Sequence, residues 1–373
     1  MIQRAIDIGG NLEENKVLII YGPRQVGKTT SVEKFLSETP LKYASYSGDS
    51  LEFAHSLAEC NLEHIKRIAG DNNLLFIDEA QKIQNIGTAL KLMVDHIQDI
   101  RVIATGSSSF DLASTAEEAL TGRKNILVLY PVAVSELLRE ETLYEFEKKL
   151  GQYLVYGMYP EVITYESYER KEKRIVEIKD SSLIKDILAF QSVKKSRPLI
   201  DLLKLLAFQI GGEVSCTELG ERLGLNEKTV RRYLDLLEKS FVLFRLDGFS
   251  RNLRKEVTKM SKYYFYDLGI RNALISNFND LDTRNDTGQL WENFMVLERI
   301  KRNAYMGISA NYYFWRTYDR KEIDFIEERG GMLHGYEFKW RKDRKKPPGD
   351  WLGTYSDATY DVITPSRYLD FVT

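Results

Sequence analysis

The sequence predicts an α/β chain that opens on a parallel sheet covered by helices and ends in a second, smaller α/β domain. Three observations carry this. Lys16-Val17-Leu18-Ile19-Ile20-Tyr21, an apolar run of strand length, leads into Gly22-Pro23-Arg24-Gln25-Val26-Gly27-Lys28-Thr29, which fits the phosphate-binding pattern GxxxxGK[ST] without a mismatch, and Thr30 to Leu36 reads as a helix. Further apolar runs, Leu74 to Ile77 and Arg101 to Ala104, alternate with helical segments, as buried parallel strands do. In the last third, two strand-like stretches meet at Arg329-Gly330-Gly331, a glycine turn that makes them a hairpin.

The phosphate loop comes first. Its glycines let the backbone curl so that N–H groups point at phosphate oxygens, and the following helix adds the positive end of its dipole. The expected nucleotide-binding set is Gly22, Pro23, Arg24, Gln25, Val26, Gly27, Lys28, Thr29 and Thr30. Lys28 is placed to reach the β- and γ-phosphates, and Thr29 to offer its hydroxyl to Mg²⁺.

Bulk properties narrow the class. With 373 residues, two or three domains are expected, and 43% hydrophobic with 29% charged residues is ordinary for a globular protein. The formal net charge of −2 requires any nucleic-acid contact to come from local patches. Cys60 and Cys216 form no CxxC pair and suit a reducing compartment better than a disulfide framework or zinc site. Met1 to Asn15 lacks the basic-then-apolar pattern of a signal peptide, and no apolar stretch approaches the ~20 residues of a membrane span, so a cytoplasmic protein is expected.

Along the first half, Leu41 to Tyr46 reads as a second strand and about Ser50 to Ala69 as one long helix. Leu74-Leu75-Phe76-Ile77-Asp78-Glu79 is a buried strand running into two acids. Asp78 suits Mg²⁺ and Glu79 the polarisation of attacking water, because both tasks need a carboxylate beside the γ-phosphate. A helix from Asn85 to Gln98 leads to Arg101 through Ser109, a strand that breaks into small hydroxyl residues. In ATPases with an additional central strand, such an end presents a polar sensor. Ser107 is the candidate, with Thr105 and Ser108 close behind, and a Ser-rich turn capping the next helix is the plain alternative. Arg123, before a fifth strand at 125–129, is a candidate arginine finger on its own or a neighbour's phosphates, and equally a surface charge.

Together GPRQVGKTT, LLFIDEAQ, ATGSSS and Gly122-Arg123 resemble the prokaryotic AAA-type ATPases that join such a module to a C-terminal domain of unassigned function. The resemblance implies ATP as the nucleotide, in keeping with the lack of an Asn-Lys-x-Asp element. It also implies a helical lid, in which Tyr156 to Val162 matches a Gly-x-x-Pro segment that would set Pro160 near the adenine.

Between Leu199 and Asn252 closely spaced helices take over. Ser215-Cys216-Thr217-Glu218 is a capping box, Gly224-Leu225-Asn226 turns the chain, and Asn226 caps a helix from Glu227 to Lys239. With the strand-like run Phe241 to Leu246, this is a winged helix-turn-helix pattern. Lys228, Arg231 and Arg232 are its candidate DNA contacts, or solvated charges on a packing module.

In the last third, Asp324 on one strand and Glu337-Phe338-Lys339 on the next, with Glu292 on the preceding helix, form the constellation of restriction-endonuclease-like folds. There carboxylates bind Mg²⁺ and a lysine assists the attacking water. The order Trp291-Glu292-Asn293-Phe294, Phe314-Trp315-Arg316, Asp324 and Glu-x-Lys also resembles the C-terminal domain of the same ATPase family. A retained fold can bind without cleaving, so nuclease activity stays open. Arg341 and Lys342 head a basic run to Lys346 that would attract a phosphate backbone.

The expected architecture is thus a P-loop NTPase parallel sheet with its ATPase core at 1–130, a helical lid at 131–195, a winged helix-turn-helix at 196–252 and a restriction-endonuclease-like domain at 253–373. Two function classes follow. One is an ATPase whose nucleotide state drives DNA binding or processing; the other is a slow nucleotide-controlled switch that recruits a protein partner and carries an inactive nuclease-like fold. An arginine acting between subunits would imply a homo-oligomer.

Overall fold

The computed structural model of the chain describes residues 2–107, 119–184, 196–249, 260–317, 321–341, 347–355 and 357–373. It divides into two units, one built from Arg4–Tyr130 with Lys239–Phe241, the other from the remainder.

The first unit is an all-parallel five-stranded sheet: β1 (Val17–Tyr21), β2 (Tyr43–Ser47), β3 (Leu74–Asp78), β4 (Arg101–Gly106) and β5 (Lys124–Val128), in the order β2-β3-β4-β1-β5. The central strands β1, β3 and β4 are buried on both faces, which is why they read as continuous apolar runs. β4 lies between the phosphate-loop strand and the acidic strand, so the sheet carries the additional central strand the sequence suggested. Helix α1 (Lys28–Glu38) follows the loop. The segment expected as one helix over 50–69 is two, α2 (Leu51–Ala58) and α3 (Leu62–Ala69). The break has a local cause: Cys60 adopts φ 52°, and the Asn61 side chain accepts from the N–H groups of Glu63 and His64, capping a new helix. Helix α4 (Ile86–His96) buries Ile86, Ala89, Leu90 and Met93 in the core with Leu75, Ile77 and Val102.

After a single helical turn at Val134–Leu137, the second unit runs through helices α5 (Leu143–Tyr156), α6 (Pro160–Thr164) and α7 (Tyr168–Ile178), followed by α8 (Ser196–Phe208), α9 (Cys216–Leu223) and α10 (Glu227–Lys239). The caps read from sequence form here: Ser215 Oγ accepts from Glu218 N–H at 3.3 Å and Asn226 Oδ1 from Thr229 N–H at 2.8 Å. Its sheet has seven strands: β6 (Glu213–Val214), β7 (Leu243–Gly248), β8 (Ser261–Phe265), β9 (Asn311–Arg316), β10 (Glu322–Arg329), β11 (Met332–Phe338) and β12 (Thr359–Ile363), ordered β12-β11-β10-β9-β7-β8-β6. β7 pairs with β8 on one side and β9 on the other, so the strand after the helix-turn-helix belongs to the same sheet as the Asp324 and Glu337 strands. A division at 252/253 would cross the β7–β8 pairing.

Helix α11 (Leu268–Leu274) precedes the long α12 (Thr287–Tyr305), which carries Glu292. The β10–β11 hairpin turns through Gly330 (φ 56°) and Gly331 (φ 78°), a left-handed pair that an L side chain would strain. Between Ile323 and Ile326 the β9–β10 register shifts by one residue; this bulge falls on Asp324. Among the described residues, no helix is long and apolar enough to cross a membrane.

Candidate functional site

In the first unit the C-terminal ends of β1, β3 and β4 converge, because parallel strands put all their carboxyl ends on one edge. From β1 the chain enters the phosphate loop. Gly22 takes φ 146°, and a Cβ there would stand 2.0 Å from the Leu129 carbonyl oxygen, so only glycine lets the loop pass β5. Gln25 and Gly27 are also left-handed (φ 62° and 93°), which curls the loop before α1. Arg4, which sequence reasoning missed, braces this curl: its guanidinium donates to the Val26 carbonyl and, at 2.6 Å, to the Tyr130 carbonyl.

Lys28 is buried, its ammonium donating to the carbonyls of Gly22 and Pro23 at 2.8 Å each. Thr29 Oγ1 lies 3.1 Å from both carboxylate oxygens of Asp78, and Thr105 on β4 donates its hydroxyl to the same carboxylate. A hydroxyl and a carboxylate so placed are the hard oxygen donors Mg²⁺ takes, so these residues fit the ion. Thr105 Oγ1 also accepts from Glu79 N–H at 3.2 Å. Glu79 holds φ 49°, a strained value for a non-glycine residue, and its carboxylate accepts from the Gln81 side-chain amide. That amide also donates to Ser107 Oγ at 3.2 Å. The structure therefore brings Lys28, Thr29, Asp78, Glu79, Ser107 and the runner-up sensor Thr105 to one sheet edge, and adds Gln81; Thr105 and Gln81 tie the others together. Ser108, the other runner-up sensor, lies outside the described residues.

Arg123 lies apart from this edge. It stands before β5, where its carbonyl accepts from Val17 N–H at the start of β1, and its guanidinium pairs with Asp95 at 2.5 Å. The length of β1 separates this edge from the phosphate loop, roughly 16 Å at strand rise. Arg123 therefore does not face the loop of its own unit. Pro160 occupies the first turn of α6 in the second unit, where its missing N–H costs nothing.

In the second unit Glu292, Asp324, Glu337 and Lys339 do gather, but with partners the sequence reading omitted. The Lys262 ammonium, 3% exposed, lies 2.5 Å from Glu322 and 3.6 Å from Glu292. Tyr264 donates to Glu292 at 2.7 Å, the Phe338 N–H donates to Asp324 at 2.9 Å, and Lys339 pairs with Glu337 at 2.8 Å. Burial, then the neighbouring carboxylates Glu292 and Glu337, push the Asp324 carboxyl up to about 8. Burial also raises Glu292. For Lys262 burial acts downward, but the carboxylates of Glu292, Glu322 and Asp324 reverse it, so the ammonium stays charged. Among the described residues no three metal-ligating side chains converge. Lys262 thus sets an internal ammonium beside Glu292 and Glu322, among the acids that a two-carboxylate Mg²⁺ site would draw on. The signal was visible as a lysine opening the otherwise aromatic run Lys262-Tyr263-Tyr264-Phe265.

Of the candidate DNA contacts, Lys228, Arg231 and Arg232 are exposed on α10. Arg231 is held by Glu227 at 2.6 Å, and Arg232 lies 5.7 Å from the Tyr233 ring centre. Arg341 is exposed, and Lys342 lies outside the described residues.

Comparison with known proteins agrees with the first-unit geometry. Residues 14–138 match the family described as AAA domain; residues 147–281 and 287–349 match two domains of unknown function, DUF8612 and DUF4143. An uncharacterized protein of Mycobacterium tuberculosis is 27% identical over 331 residues, covering 88% of this chain and 71% of its own length. An uncharacterized protein of Methanocaldococcus jannaschii is 24% identical over 345 residues, with 87% and 75% covered. Among solved structures, the chain is similar at 18% identity to RuvB R170A of Thermotoga maritima (65% of this chain, 84% of that one), but a TM-score of 0.31 is too low to equate the architectures. The strand order, the phosphate loop and the matched family agree that residues 14–138 form an AAA-type P-loop domain.

Proposed function

We propose that the chain binds ATP with Mg²⁺ and hydrolyses it at the edge formed by Gly22 to Thr30, Asp78, Glu79 and Ser107. The observation that supports this is the chain of contacts Thr29–Asp78–Thr105 and Glu79–Gln81–Ser107, which places a cation-binding pair and a base-and-sensor pair side by side after a phosphate loop. Phosphoryl transfer needs positioning and charge stabilisation more than covalent chemistry. The loop N–H groups and Lys28 take the phosphate oxygens, Lys28 exchanging the carbonyls of Gly22 and Pro23 for them. Thr29 and Asp78 hold Mg²⁺, which when bound neutralises charge on the phosphates. Glu79 orients the attacking water, and Ser107, joined to it through Gln81, contacts the terminal phosphate. An arginine-finger role for Arg123 is confined to a second copy of the chain.

The finer proposal is that nucleotide state controls DNA binding through Lys228, Arg231, Arg232, Arg341 and Lys342. Lys262 favours the alternative for the candidate nuclease site: an ammonium among Glu292, Glu322 and Asp324 suits a fold that binds without cleaving. ATP turnover measured with and without duplex DNA separates the classes. A DNA-coupled ATPase is stimulated; a switch with a protein partner turns over slowly and is indifferent to DNA. Absence of nucleotide binding that Lys28→Ala can abolish removes the proposal altogether.

A further inference from the structure

The Val26–Gly27 peptide closes the phosphate loop; α1 begins one residue later, at Lys28. A trans peptide sets its C=O and its N–H on opposite sides, and there is no cis bond among the described residues. The direction of the Val26 carbonyl therefore decides the direction of the Gly27 N–H. That carbonyl accepts from Arg4 Nη1. The Gly27 N–H donates to no acceptor of the chain among the described residues, while the Gly27 carbonyl is taken by Ser31 N–H at 2.9 Å.

The backbone alone does not hold this peptide. Gly27 sits at φ 93°, and glycine populates positive and negative φ about equally, so a half-turn of the peptide meets little resistance there. Such a flip would aim a carbonyl oxygen, the negative end of the peptide dipole, where a phosphate needs a donor. Arg4 opposes it with a fork. Its Nη2 donates to the Tyr130 carbonyl at 2.6 Å. Tyr130 is 7% exposed, and the preceding Leu129 continues the β5–β1 pairing through its N–H to the Tyr21 carbonyl at 2.8 Å. The guanidinium thus ties the loop carbonyl to the sheet. A Cβ at Gly27 would stand 3.8 Å from Arg4 Nη1, an ordinary contact, so the side chain lies against the loop without crowding it.

We propose that Arg4 is a positioning residue of the nucleotide site: by gripping the Val26 carbonyl it keeps the Gly27 N–H turned into the phosphate cradle. Arg4 touches no phosphate and acts through the peptide, and the role rests on the phosphate-binding reading of the loop given above. With the cradle preset, binding does not have to drive a peptide flip. The test measures binding of ADP with Mg²⁺ to the full-length chain by calorimetry, since loop N–H groups of this kind meet the α- and β-phosphates. Arg4→Ala is expected to weaken ADP at least roughly tenfold, the loss of one charge-assisted hydrogen bond. Arg4→Lys, a single donor point in place of a fork, is expected to fall between. Thermal melting confirms that each variant is folded. Guanidinium ion at millimolar concentration, compared with sodium chloride at the same ionic strength, is expected to return Arg4→Ala toward wild-type affinity and to leave wild type unchanged. A residue that merely fastened the N-terminal segment would not be replaced by an ion unattached to that segment. Wild-type affinity in both variants, or a loss in Arg4→Ala that guanidinium ion does not reduce, overturns the positioning role and leaves nucleotide binding by the loop standing. Wild-type protein that does not bind ADP removes the phosphate-binding reading, and this role with it.

Discussion

Asp286 immediately precedes α12, the helix that carries Glu292 toward the acid cluster. Its carboxylate is gripped by two buried guanidiniums: Arg284 donates through Nε and Nη2 at 2.8 Å each, and Arg271 through Nη1 at 2.5 Å. Burial acts to raise its pKa, but the hydrogen bonds from Arg284 and Arg271 more than offset it and bring the carboxyl from the usual 3.8 down to about 2. A carboxyl so depressed contributes about 2 kcal/mol at neutral pH. Asp286→Asn also strands Arg271 and Arg284, which are 2% and 1% exposed, and this moves the expected loss toward about 3 kcal/mol. Because the folded pKa lies below the unfolded one, the contribution is complete above 3.8 and is lost as pH falls toward 2, with about 1 kcal/mol gone by pH 3. All four tryptophans, Trp291, Trp315, Trp340 and Trp351, lie in this unit, so urea unfolding followed by tryptophan fluorescence reports on it selectively. Wild type and Asp286→Asn are expected to differ by about 3 kcal/mol at pH 7 and by about 1 kcal/mol less at pH 3. A difference under about 0.5 kcal/mol at pH 7, or a gap that does not narrow on acidification, refutes the reasoning.

Three further outcomes are expected. Gly22→Ala drives a Cβ against the Leu129 carbonyl, so a fluorescent ATP analogue should lose at least roughly tenfold in affinity; tight binding would mean the loop does not need that approach. Gln81→Ala cuts the link between Glu79 and Ser107 and is expected to lower turnover roughly tenfold while leaving ATP affinity near wild type, and a pure affinity loss would contradict the assigned role. Lys262→Met removes the cation set among Glu292, Glu322 and Asp324, so, assayed without nucleotide, the variant should bind Mn²⁺ where wild type does not, at a cost of about 3–5 kcal/mol in stability. Equal Mn²⁺ binding by both proteins would show that the ammonium does not compensate the acids.

What the sequence disclosed and what it hid follow one physical rule. The phosphate loop, Asp78-Glu79 and the strand to Ser107 are local patterns, in which consecutive residues must take a particular backbone path, and the buried parallel strands between them carry an unbroken apolar signal. Contacts made across the fold leave no such trace. Arg4 braces a loop 22 residues away and a carbonyl 126 residues away, and nothing near position 4 announces it. Arg123 sat plausibly after a hydroxyl-rich strand, yet the parallel order sends the start of β5 to the far edge. The break at Cys60 was readable, since Asn61 before Leu62-Glu63 is a cap signal, but apolar periodicity on both sides masked it. In the C-terminal sheet the order Glu292, Asp324, Glu337, Lys339 did predict proximity; the charge balance depended on Lys262, on β8, three strands along the sheet from β10 and silent in the motif.

The proposed function makes the edge holding Lys28, Asp78 and Glu79 a working ATPase site. Glu79→Gln keeps the side chain's shape and removes the carboxylate proposed to orient water, so the measurement is ATP affinity and ATP turnover on the same preparations of wild type and variant. The expected result is near-equal affinity with turnover reduced at least roughly a hundredfold. Equal turnover, or wild-type protein that binds ATP and never hydrolyses it, would rule out hydrolysis at this edge.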